Sequence, residues 1–204
     1  MIRRNRGRRV ALLSAVLGAG LLLSACSSND TLAQQWNSGS DKGYIAGDGS
    51  TTSIAPEART QAIEFSGTDE HGGKISSADY AGAVTVVNFW YAGCPPCRAE
   101  APDLQETAEE FVPKGVKFLG VNTRDQEAQA IQFAKEFEIT YPSIMDAKDN
   151  RSTQRAFAGE VPLNAVPTTL VLDTEGRVAH RILGQLAGAS QLGTLIKETQ
   201  AELE

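Results

Sequence analysis

The feature that most constrains this chain is the motif Cys94-Pro95-Pro96-Cys97, which lies at the boundary between a predicted strand and a predicted helix. Residues 84–90 form an apolar, β-branched run bounded by Gly82 and Gly93, as expected of a buried strand. Apolar residues then recur at helical spacing from residue 97 to residue 111. A strand, a turn and a helix with CxxC at the helix start indicate a thiol redox site.

The two cysteines have unequal positions on the predicted helix. Cys94 falls at the helix start, where unpaired N–H groups and the positive end of the helix dipole lower a thiol pKa from ~8.5 to roughly 3.5–7.5. We therefore expect Cys94 to be the exposed, attacking thiol and Cys97, one turn further and shielded by the helix, to be the resolving thiol. Pro95 and Pro96 stiffen the loop between them. The predicted inward face consists of Cys97, Ala101, Leu104, Ala108 and Phe111.

Two other uses of a CxxC motif are disfavoured. A zinc site needs two further ligands, whereas the remaining cysteine is Cys26 and the two histidines, His71 and His180, lack metal-ligand spacing. No metal and no cofactor is expected. A purely structural disulfide is also disfavoured, because so short a loop restricts the unfolded chain very little.

The N-terminal residues 1–25 are typical of a bacterial export signal. Five arginines precede an apolar stretch at residues 10–23, which is shorter than the ~20 residues of a transmembrane helix. The following Leu23-Ser24-Ala25-Cys26 resembles the lipobox of lipoproteins, which implies cleavage before Cys26 and lipidation of that cysteine. An uncleaved membrane anchor at the same place remains the alternative and gives the same topology.

The charge balance argues against nucleic acid as a partner. Without the five signal arginines, 14 basic residues face 25 acidic ones, a net charge of −11. Nucleic-acid binding depends on basic residues that neutralise phosphates, so it is disfavoured. Two thiols in an exported domain also meet an oxidising compartment. A reductant must therefore supply electrons if the pair acts reductively.

The mature chain is predicted to contain a tether and one domain. Residues 26–59 are rich in Ser, Gly, Thr, Asn and Asp, which favours a flexible tether. Residues 60–204 have the length of a single domain. Its alternation of strands and helices predicts an α/β fold with parallel βαβ pairing.

The predicted elements of this domain follow the hydrophobic pattern. His180 is expected at an exposed strand position. The elements are a hairpin around residues 69–73, a strand at 84–90, a helix at 95–111, a strand at 117–122, a helix at 125–137 with Ala128, Ile131, Ala134 and Phe137 inward, a short helix at 152–157, a hairpin of strands 166–172 and 177–183, and a helix at 191–203.

The motifs together resemble a known family. Asn88-Phe89-Trp90, then Cys94-Pro95-Pro96-Cys97 with Glu100 and Pro102, and later Val166-Pro167-Thr168-Thr169 are similar to the TlpA/ResA branch of the thioredoxin superfamily. The resemblance covers about residues 60–204. It implies a thioredoxin fold with an N-terminal β-hairpin and a central insertion at residues 141–162.

The resemblance assigns roles to further residues. It implies a cis bond between Val166 and Pro167, with this proline and Thr168 beside the redox pair and their backbone free to pair with an extended substrate. The alternative is an ordinary trans proline at the start of an edge strand. Trp90 is expected to pack beneath the active-site loop.

Three positions, at Asn88, Glu100 and Gly93, depart from cytosolic thioredoxins. Asn88 stands where these carry a buried aspartate, so that proton acceptor for Cys97 is absent. Glu100 matches a glutamate that TlpA/ResA-like proteins place near the pair, where burial raises its pKa and allows a proton-relay role. A solvated helix glutamate is the alternative. Gly93 replaces a common tryptophan and leaves a more open approach to Cys94.

The expected function is that of a thiol-disulfide oxidoreductase, lipid-anchored to the outer face of the bacterial cytoplasmic membrane. The resemblance implies apocytochrome c as the substrate, reduced before haem attachment, and a membrane electron donor of the CcdA/DsbD type. A general reductase or an oxidant of secreted proteins is the alternative. A thioredoxin-fold peroxidase is disfavoured because Val87 and Tyr91 break the Pro-x-x-x-Thr-x-x-Cys pattern before Cys94. A non-catalytic binding module gives no reason for an intact CxxC.

Overall fold

The structure is a computed structural model that describes residues 49–162 and 164–203. The predicted signal peptide, the predicted lipid anchor Cys26 and most of the predicted tether lie outside these residues. Within the described ranges, no helix has the length and apolar character needed to cross a membrane.

The described residues form eight strands and four α-helices. The strands are β1 (Ser50–Ser53), β2 (Ser66–Thr68), β3 (Lys74–Ser76), β4 (Thr85–Trp90), β5 (Lys117–Asn122), β6 (Ser143–Met145), β7 (Thr168–Leu172) and β8 (Val178–Leu183). The helices are α1 (Pro95–Phe111), α2 (Glu127–Glu136), α3 (Ser152–Ala156) and α4 (Ala189–Ala201). Short 3₁₀ turns cover Pro56–Ala58, Ser77–Tyr80 and Val112–Lys114.

A six-stranded sheet forms the centre of the domain, in the order β1-β8-β7-β4-β5-β6. Strand β4 pairs in parallel with β5 and antiparallel with β7, and β5 pairs in parallel with β6. Strands β2 and β3 form a separate hairpin. The predicted thioredoxin fold with an N-terminal hairpin is confirmed, and β6 and α3 lie in the predicted insertion.

Strand β4 is central, and all six of its residues are buried. Its alternating side chains belong to two hydrophobic clusters. Val87 and Phe89 belong to a cluster with Phe65 and Phe157, residues that come from the hairpin side and from the end of α3. The other cluster contains the apolar faces of α1 and α4, and its members include Val86, Leu104, Ala108, Phe111, Leu192 and Ile196.

The predicted inward face of the second helix is wrong for Ala128 and Ile131, which are exposed, whereas Phe137 packs against the core as predicted. In α2 the buried residues are Ala130 and Phe133, whereas Ile131 is 39% exposed. Phe133 packs on Trp90 with a ring-centroid distance of 4.2 Å. The aromatic contact therefore sets the orientation of the helix, and the aliphatic Ile131 faces solvent.

The predicted end of the tether at residue 59 is also wrong. Residues 50–53 form β1, which pairs antiparallel with β8, and the N–H of Ile54 donates to Ala179 O at 2.8 Å. The four side chains of β1 are all exposed, so no hydrophobic pattern marks this strand. Backbone hydrogen bonds to β8 and polar side-chain contacts of Thr51 and Ser53 define it.

Strand β1 also explains why the predicted exposure of His180 is wrong. Because β1 covers the edge of β8, His180 is only 4% exposed and its Nδ1 lies 2.9 Å from Ser53 Oγ. Burial lowers the pKa of His180, although Glu198 and Glu202 oppose this effect.

Arg59 fastens the N-terminal segment to the rest of the domain. Its guanidinium donates to Asp173 at 3.0 Å and to Glu202 at 2.6 Å, and its Nε donates to Ile54 O at 3.0 Å. The Arg59 side chain is 2% exposed, so these contacts are largely desolvated. Residues 49–59, which the composition assigned to the tether, are thus part of the folded domain.

We predict that Arg59→Ala lowers the free energy of unfolding by about 3 kcal/mol, because it leaves the buried Asp173 carboxylate with one ion-pair partner fewer. Urea denaturation of the oxidised protein measures the loss. Arg177→Ala is the matched control, since Arg177 also binds Asp173, at 2.9 Å, but its side chain is more exposed. The control should cost about 1 kcal/mol or less. Equal losses in the two variants would contradict the anchoring role of Arg59.

Candidate active site

The two cysteines are joined in a disulfide at the start of α1. Their Cα atoms are 5.2 Å apart and the S–S distance is 2.09 Å, so the structure represents the oxidised state. Cys94 is the N-cap residue of α1, and its N–H donates to Tyr91 O at 3.1 Å. The turn that follows β4 therefore delivers Cys94 directly to the helix start.

The expected exposure of Cys94 is wrong for this oxidised state. Cys94 is 0% exposed and Cys97 is 2% exposed. The Cys94 side chain folds back over its own helix, where its Sγ accepts a hydrogen bond from the Cys97 N–H at 3.2 Å. A partner can therefore reach Cys94 only after the covering residues move or the disulfide opens.

The prolines of the motif change the electrostatics of the helix start. A helix leaves its first N–H groups without helical partners. Pro95 and Pro96 occupy the first two helical positions and have no N–H, so Cys97 supplies the first donor, and this donor points at Cys94 Sγ. Stabilisation of a Cys94 thiolate by hydrogen bonding thus depends on a single backbone N–H.

Glu100 is fully buried on α1, three residues after Cys97. Its Oε1 accepts from Asn88 Nδ2 at 2.9 Å and its Oε2 accepts from the Leu186 N–H at 3.0 Å. Burial raises the pKa of Glu100 to about 8, against the lowering effect of these two hydrogen bonds. The solvated alternative for Glu100 does not hold.

Asn88 connects Glu100 to the strand that follows the late proline. Its Nδ2 also donates to Thr169 Oγ1 at 3.0 Å, and Asn88 is the register partner of Thr169 in the pairing of β4 with β7. An amide at this position donates to the carboxyl group, whereas a second carboxylate would repel it. The replacement of aspartate by Asn88 is therefore compatible with a buried Glu100.

The late proline stands beside the end of β4. The Val166–Pro167 peptide bond is cis, as the resemblance implies. Pro167 O accepts from the Gly184 N–H at 2.9 Å, and Thr168 Oγ1 donates to Ala165 O at 2.8 Å. Thr168 is the register partner of Phe89, one residue before Trp90, so the start of β7 lies at the same end of the sheet as the cysteines.

Trp90 lies between α2 and β6. Its indole N–H donates to Ser143 Oγ at 3.2 Å, and its ring packs on Phe133. A narrow cavity of about 10 Å³, room for about one water molecule, adjoins this ring. Its polar lining is formed by Glu70, Asn88, Trp90, Cys97, Tyr141 and Ser143.

The loop between β5 and α2 contributes residues that the sequence reasoning missed. Asp125 Oδ2 accepts from the Ala92 N–H at 2.6 Å, and Thr123 donates to Trp90 O from its N–H at 3.0 Å and from its hydroxyl at 3.2 Å. The sequence does hold a signal, because this loop directly follows the predicted second parallel strand. Carboxyl ends of parallel strands meet at one edge of a sheet.

The chemistry of the site is that of dithiol–disulfide exchange. A disulfide at a helix start, a cis-proline at the neighbouring strand and a buried carboxyl group on the same helix lie at one end of the sheet. Among the described residues, no group of three or more His, Cys, Asp or Glu side chains could hold a metal ion.

Comparison with known proteins agrees with this chemistry. The AhpC/TSA family matches residues 58–181, more than half of the chain. Thiol-disulfide oxidoreductase ResA of Geobacillus thermodenitrificans is 31% identical over 136 residues, which cover 67% of this chain and 75% of that protein.

Solved structures give the same result. A DsbF homologue from Corynebacterium diphtheriae superposes with a TM-score of 0.62 and 32% identity, covering 74% of this chain and 94% of that one. A secreted thiol-disulfide isomerase from Corynebacterium glutamicum superposes with a TM-score of 0.65 and 29% identity, covering 76% and 96%. The chain therefore belongs to the AhpC/TSA family, with a thioredoxin fold, and is a thiol-disulfide oxidoreductase of the ResA type.

Proposed function

We propose that this oxidoreductase is lipid-anchored outside the cytoplasm and reduces the CxxCH disulfide of apocytochrome c before haem attachment. The observation that carries the proposal is the buried Glu100, bonded to Asn88 and three residues after Cys97. Glu100 matches a glutamate of TlpA/ResA-like proteins, and Asn88 is a position at which this chain differs from cytosolic thioredoxins. The substrate and the membrane electron donor of the CcdA/DsbD type follow from that resemblance.

The proposed reaction transfers two electrons to the substrate. The Cys94 thiolate attacks one sulfur of the substrate disulfide, the other substrate sulfur leaves as a thiolate, and a mixed disulfide forms. Cys97 then loses its proton and attacks Cys94 Sγ, which releases the second substrate thiolate and leaves the Cys94–Cys97 disulfide. The donor protein returns two electrons to the pair, and two protons complete the balance.

Glu100 is suited to the second step of this scheme. Its pKa of about 8 lies near the ~8.5 of an ordinary thiol, so the carboxyl group is matched in proton affinity to exchange a proton with a thiol. Near neutral pH both protonation states of Glu100 are populated. We propose Glu100 as the group that accepts the Cys97 proton while the mixed disulfide resolves.

The position of β1 supports action close to a membrane. The Gly49 N–H donates to Leu183 O at 2.7 Å, and Leu183 is the register partner of Thr168. The chain that precedes residue 49 therefore joins the domain at the sheet end that carries Cys94 and Pro167. An anchor at Cys26 would lie at most ~80 Å of extended chain from this point.

A broader role in secreted-protein folding is the second candidate. The relative from Corynebacterium glutamicum is described as a secreted thiol-disulfide isomerase, which favours varied substrates. The reduction potential of the Cys94–Cys97 couple separates an oxidant from a reductant. A value near the ~−120 mV of DsbA indicates an oxidant, and a value near the ~−270 mV of thioredoxin indicates a reductant.

We predict that Cys97→Ser accumulates mixed disulfides through Cys94, because the thiol that resolves them is absent. Cys94→Ser is the matched control and should trap nothing. Non-reducing electrophoresis of cell extracts, with mass spectrometry of the trapped species, makes the measurement. Apocytochrome c among the trapped partners supports the proposal. A range of secreted proteins with normal cytochrome c levels would replace it by the broader role, and better trapping by Cys94→Ser would reverse the two thiol assignments.

We predict that Glu100→Gln slows resolution of the mixed disulfide by roughly a hundredfold, since proton transfer by a positioned side chain typically contributes that much or more. The inflection near pH 8 in the resolution rate should disappear. Stopped-flow measurement with a disulfide substrate between pH 6 and pH 9 gives the profile. Superimposable profiles for wild type and variant would remove Glu100 from the reaction.

The same variant has a separate effect on stability. Because the pKa of Glu100 is raised from 4.5 to about 8 by folding, the unfolded chain ionises first as pH rises. Wild-type stability should then fall by about 1.4 kcal/mol per pH unit between pH 4.5 and pH 8 from this group, and level off above pH 8. Glu100→Gln should lack this slope. A slope that disappears without any change in the resolution rate would mean that Glu100 is structural only.

We predict that Cys26→Ala releases the protein from the membrane or blocks its maturation, because Cys26 is the proposed site of lipidation. Membrane fractionation and metabolic labelling with a fatty-acid analogue measure this. The redox activity of the isolated variant should equal that of wild type, since Cys26 precedes the folded domain. Retention of lipid label in Cys26→Ala would contradict the lipoprotein assignment.

A further inference from the structure

The turn that carries Cys94 is held at one residue, Ala92, through both its N–H and its carbonyl group. The Ala92 N–H donates to Asp125 Oδ2 at 2.6 Å, and Ala92 O accepts from the Arg98 guanidinium at 3.5 Å. Ala92 is two residues before Cys94 in the chain. The Asp125 carboxylate and the Arg98 guanidinium therefore both bind the backbone just before the redox pair.

Asp125 is itself fixed in the loop between β5 and α2. It is 8% exposed, and its Oδ2 also accepts from Asn122 Nδ2 at 2.8 Å. The Asp125 N–H in turn donates to Asn122 Oδ1 at 2.8 Å. Because a buried carboxylate that loses its donors is costly, movement of Ala92 away from Asp125 is opposed.

Arg98, which binds the Ala92 carbonyl oxygen, is itself held in place by contacts with α2 and the residue that follows it. It pairs with Glu136 of α2, and its guanidinium lies 4.9 Å from the centroid of the Phe137 ring. On the same turn, the Arg124 guanidinium lies 4.4 Å from the centroid of the Tyr91 ring. The residues that hold the turn are thus supported by α1, α2 and the loop after β5.

We propose that Asp125 is a positioning residue that holds Cys94 in line with the Cys97 N–H and thereby keeps its thiolate ready to attack. The inference rests on the proposed role of Cys94 as the attacking thiol. Pro95 and Pro96 leave one N–H at the helix start, so a displaced Cys94 finds no second donor there. This single hydrogen bond requires an accurate position of Cys94 Sγ. The hydrogen bonds that Asp125 and Arg98 make with Ala92 fix that position.

Charge and position predict opposite effects at this site. The charged groups on the surrounding elements include Arg98 and Glu100 on α1, Arg124 and Asp125 on the loop after β5, and Glu136 on α2, whereas Val166 and Pro167 before β7 bring none. As a bare charge, Asp125 disfavours a thiolate, so its removal would lower the Cys94 pKa. As a positioning residue it favours the thiolate, so loss of its hydrogen bond raises that pKa.

The test uses the full chain with Cys26→Ala and Cys97→Ser, which leaves Cys94 as its sole thiol. Asp125→Asn keeps an oxygen for the Ala92 N–H and removes the charge, whereas Asp125→Ala removes both. The rate of alkylation by iodoacetamide is measured from pH 4 to pH 9. We expect Asp125→Ala to raise the apparent Cys94 pKa and to slow alkylation at pH 7 about tenfold, the value of one hydrogen bond to a charged group. Asp125→Asn should stay within about threefold of the parent chain.

Asp173→Asn is the control for general destabilisation. Asp173 is a similarly buried aspartate that accepts backbone N–H groups, from Glu175 and Arg177 at 3.0 Å each, but it follows the other end of β7. This variant should lose stability and keep the parent alkylation profile. If Asp125→Ala does not fold, Asp125→Ser, too short to reach Ala92, replaces it.

Three outcomes would overturn the inference. Identical alkylation profiles for Asp125→Ala and the parent would show that Asp125 is structural only. A lowered Cys94 pKa in both Asn and Ala variants would show that it acts as a charge. An ordinary thiol pKa in the parent chain itself would instead refute the role of Cys94, and this failure is visible before any change at Asp125.

Discussion

The position of β4 between one parallel and one antiparallel neighbour determines where the reactive groups meet. The parallel partner β5 brings its carboxyl end, and thus Asp125, to the end of β4. The antiparallel partner β7 brings its amino end, and thus Pro167, to the same place. Neither pairing could be exchanged without removing one of these groups from Cys94. The burial of all six β4 residues makes the arrangement costly to disturb, since each apolar side chain contributes ~1.5–3 kcal/mol by burial.

The buried Glu100 carboxyl group lowers the stability of the folded state. A carboxyl group with a pKa near 8 destabilises the folded state at neutral and alkaline pH, because the unfolded chain ionises more readily. An apolar residue of similar volume would not carry this cost. The two donors that Asn88 and Leu186 direct at the carboxyl oxygens limit the cost without abolishing it. Such incomplete compensation is typical of groups retained for proton transfer.

Much of the fold and part of the site could be predicted, because local patterns determine them. The apolar run before Cys94 and the helical spacing after it define β4 and α1, and the bounds of α1 agree with prediction. The cis bond at Pro167 came from resemblance, not from any local pattern. The burial of Glu100 was expected from resemblance alone, with a solvated glutamate left open as the alternative, since a glutamate in a helix looks the same in sequence whether it is solvated or covered by Leu186.

The remaining errors have one physical origin, which is contact between segments distant in sequence. Polar residues 50–53 become a strand because β8 offers an unpaired edge, and His180 is buried as a consequence. Ile131 faces solvent because Phe133, two residues later on the same helix, packs on Trp90 of the central strand. Asp125 was missed for the same reason, since its partner Ala92 is 33 residues earlier in the chain.

Different residues make the backbone before Cys94 rigid and leave space for a partner protein to approach Cys94. Gly93 has no side chain, and a Cβ built on it would lie 3.4 Å from the Tyr91 ring, which is an ordinary van der Waals contact. A bulky residue there would brace the turn and also obstruct a partner protein. Asp125 and Arg98 instead hold the turn through the backbone of Ala92. The turn is therefore braced without a bulky side chain at position 93 in the path of a partner protein. A thiol-disulfide exchange site gains from this separation, because access to Cys94 can widen without loosening the backbone that positions it.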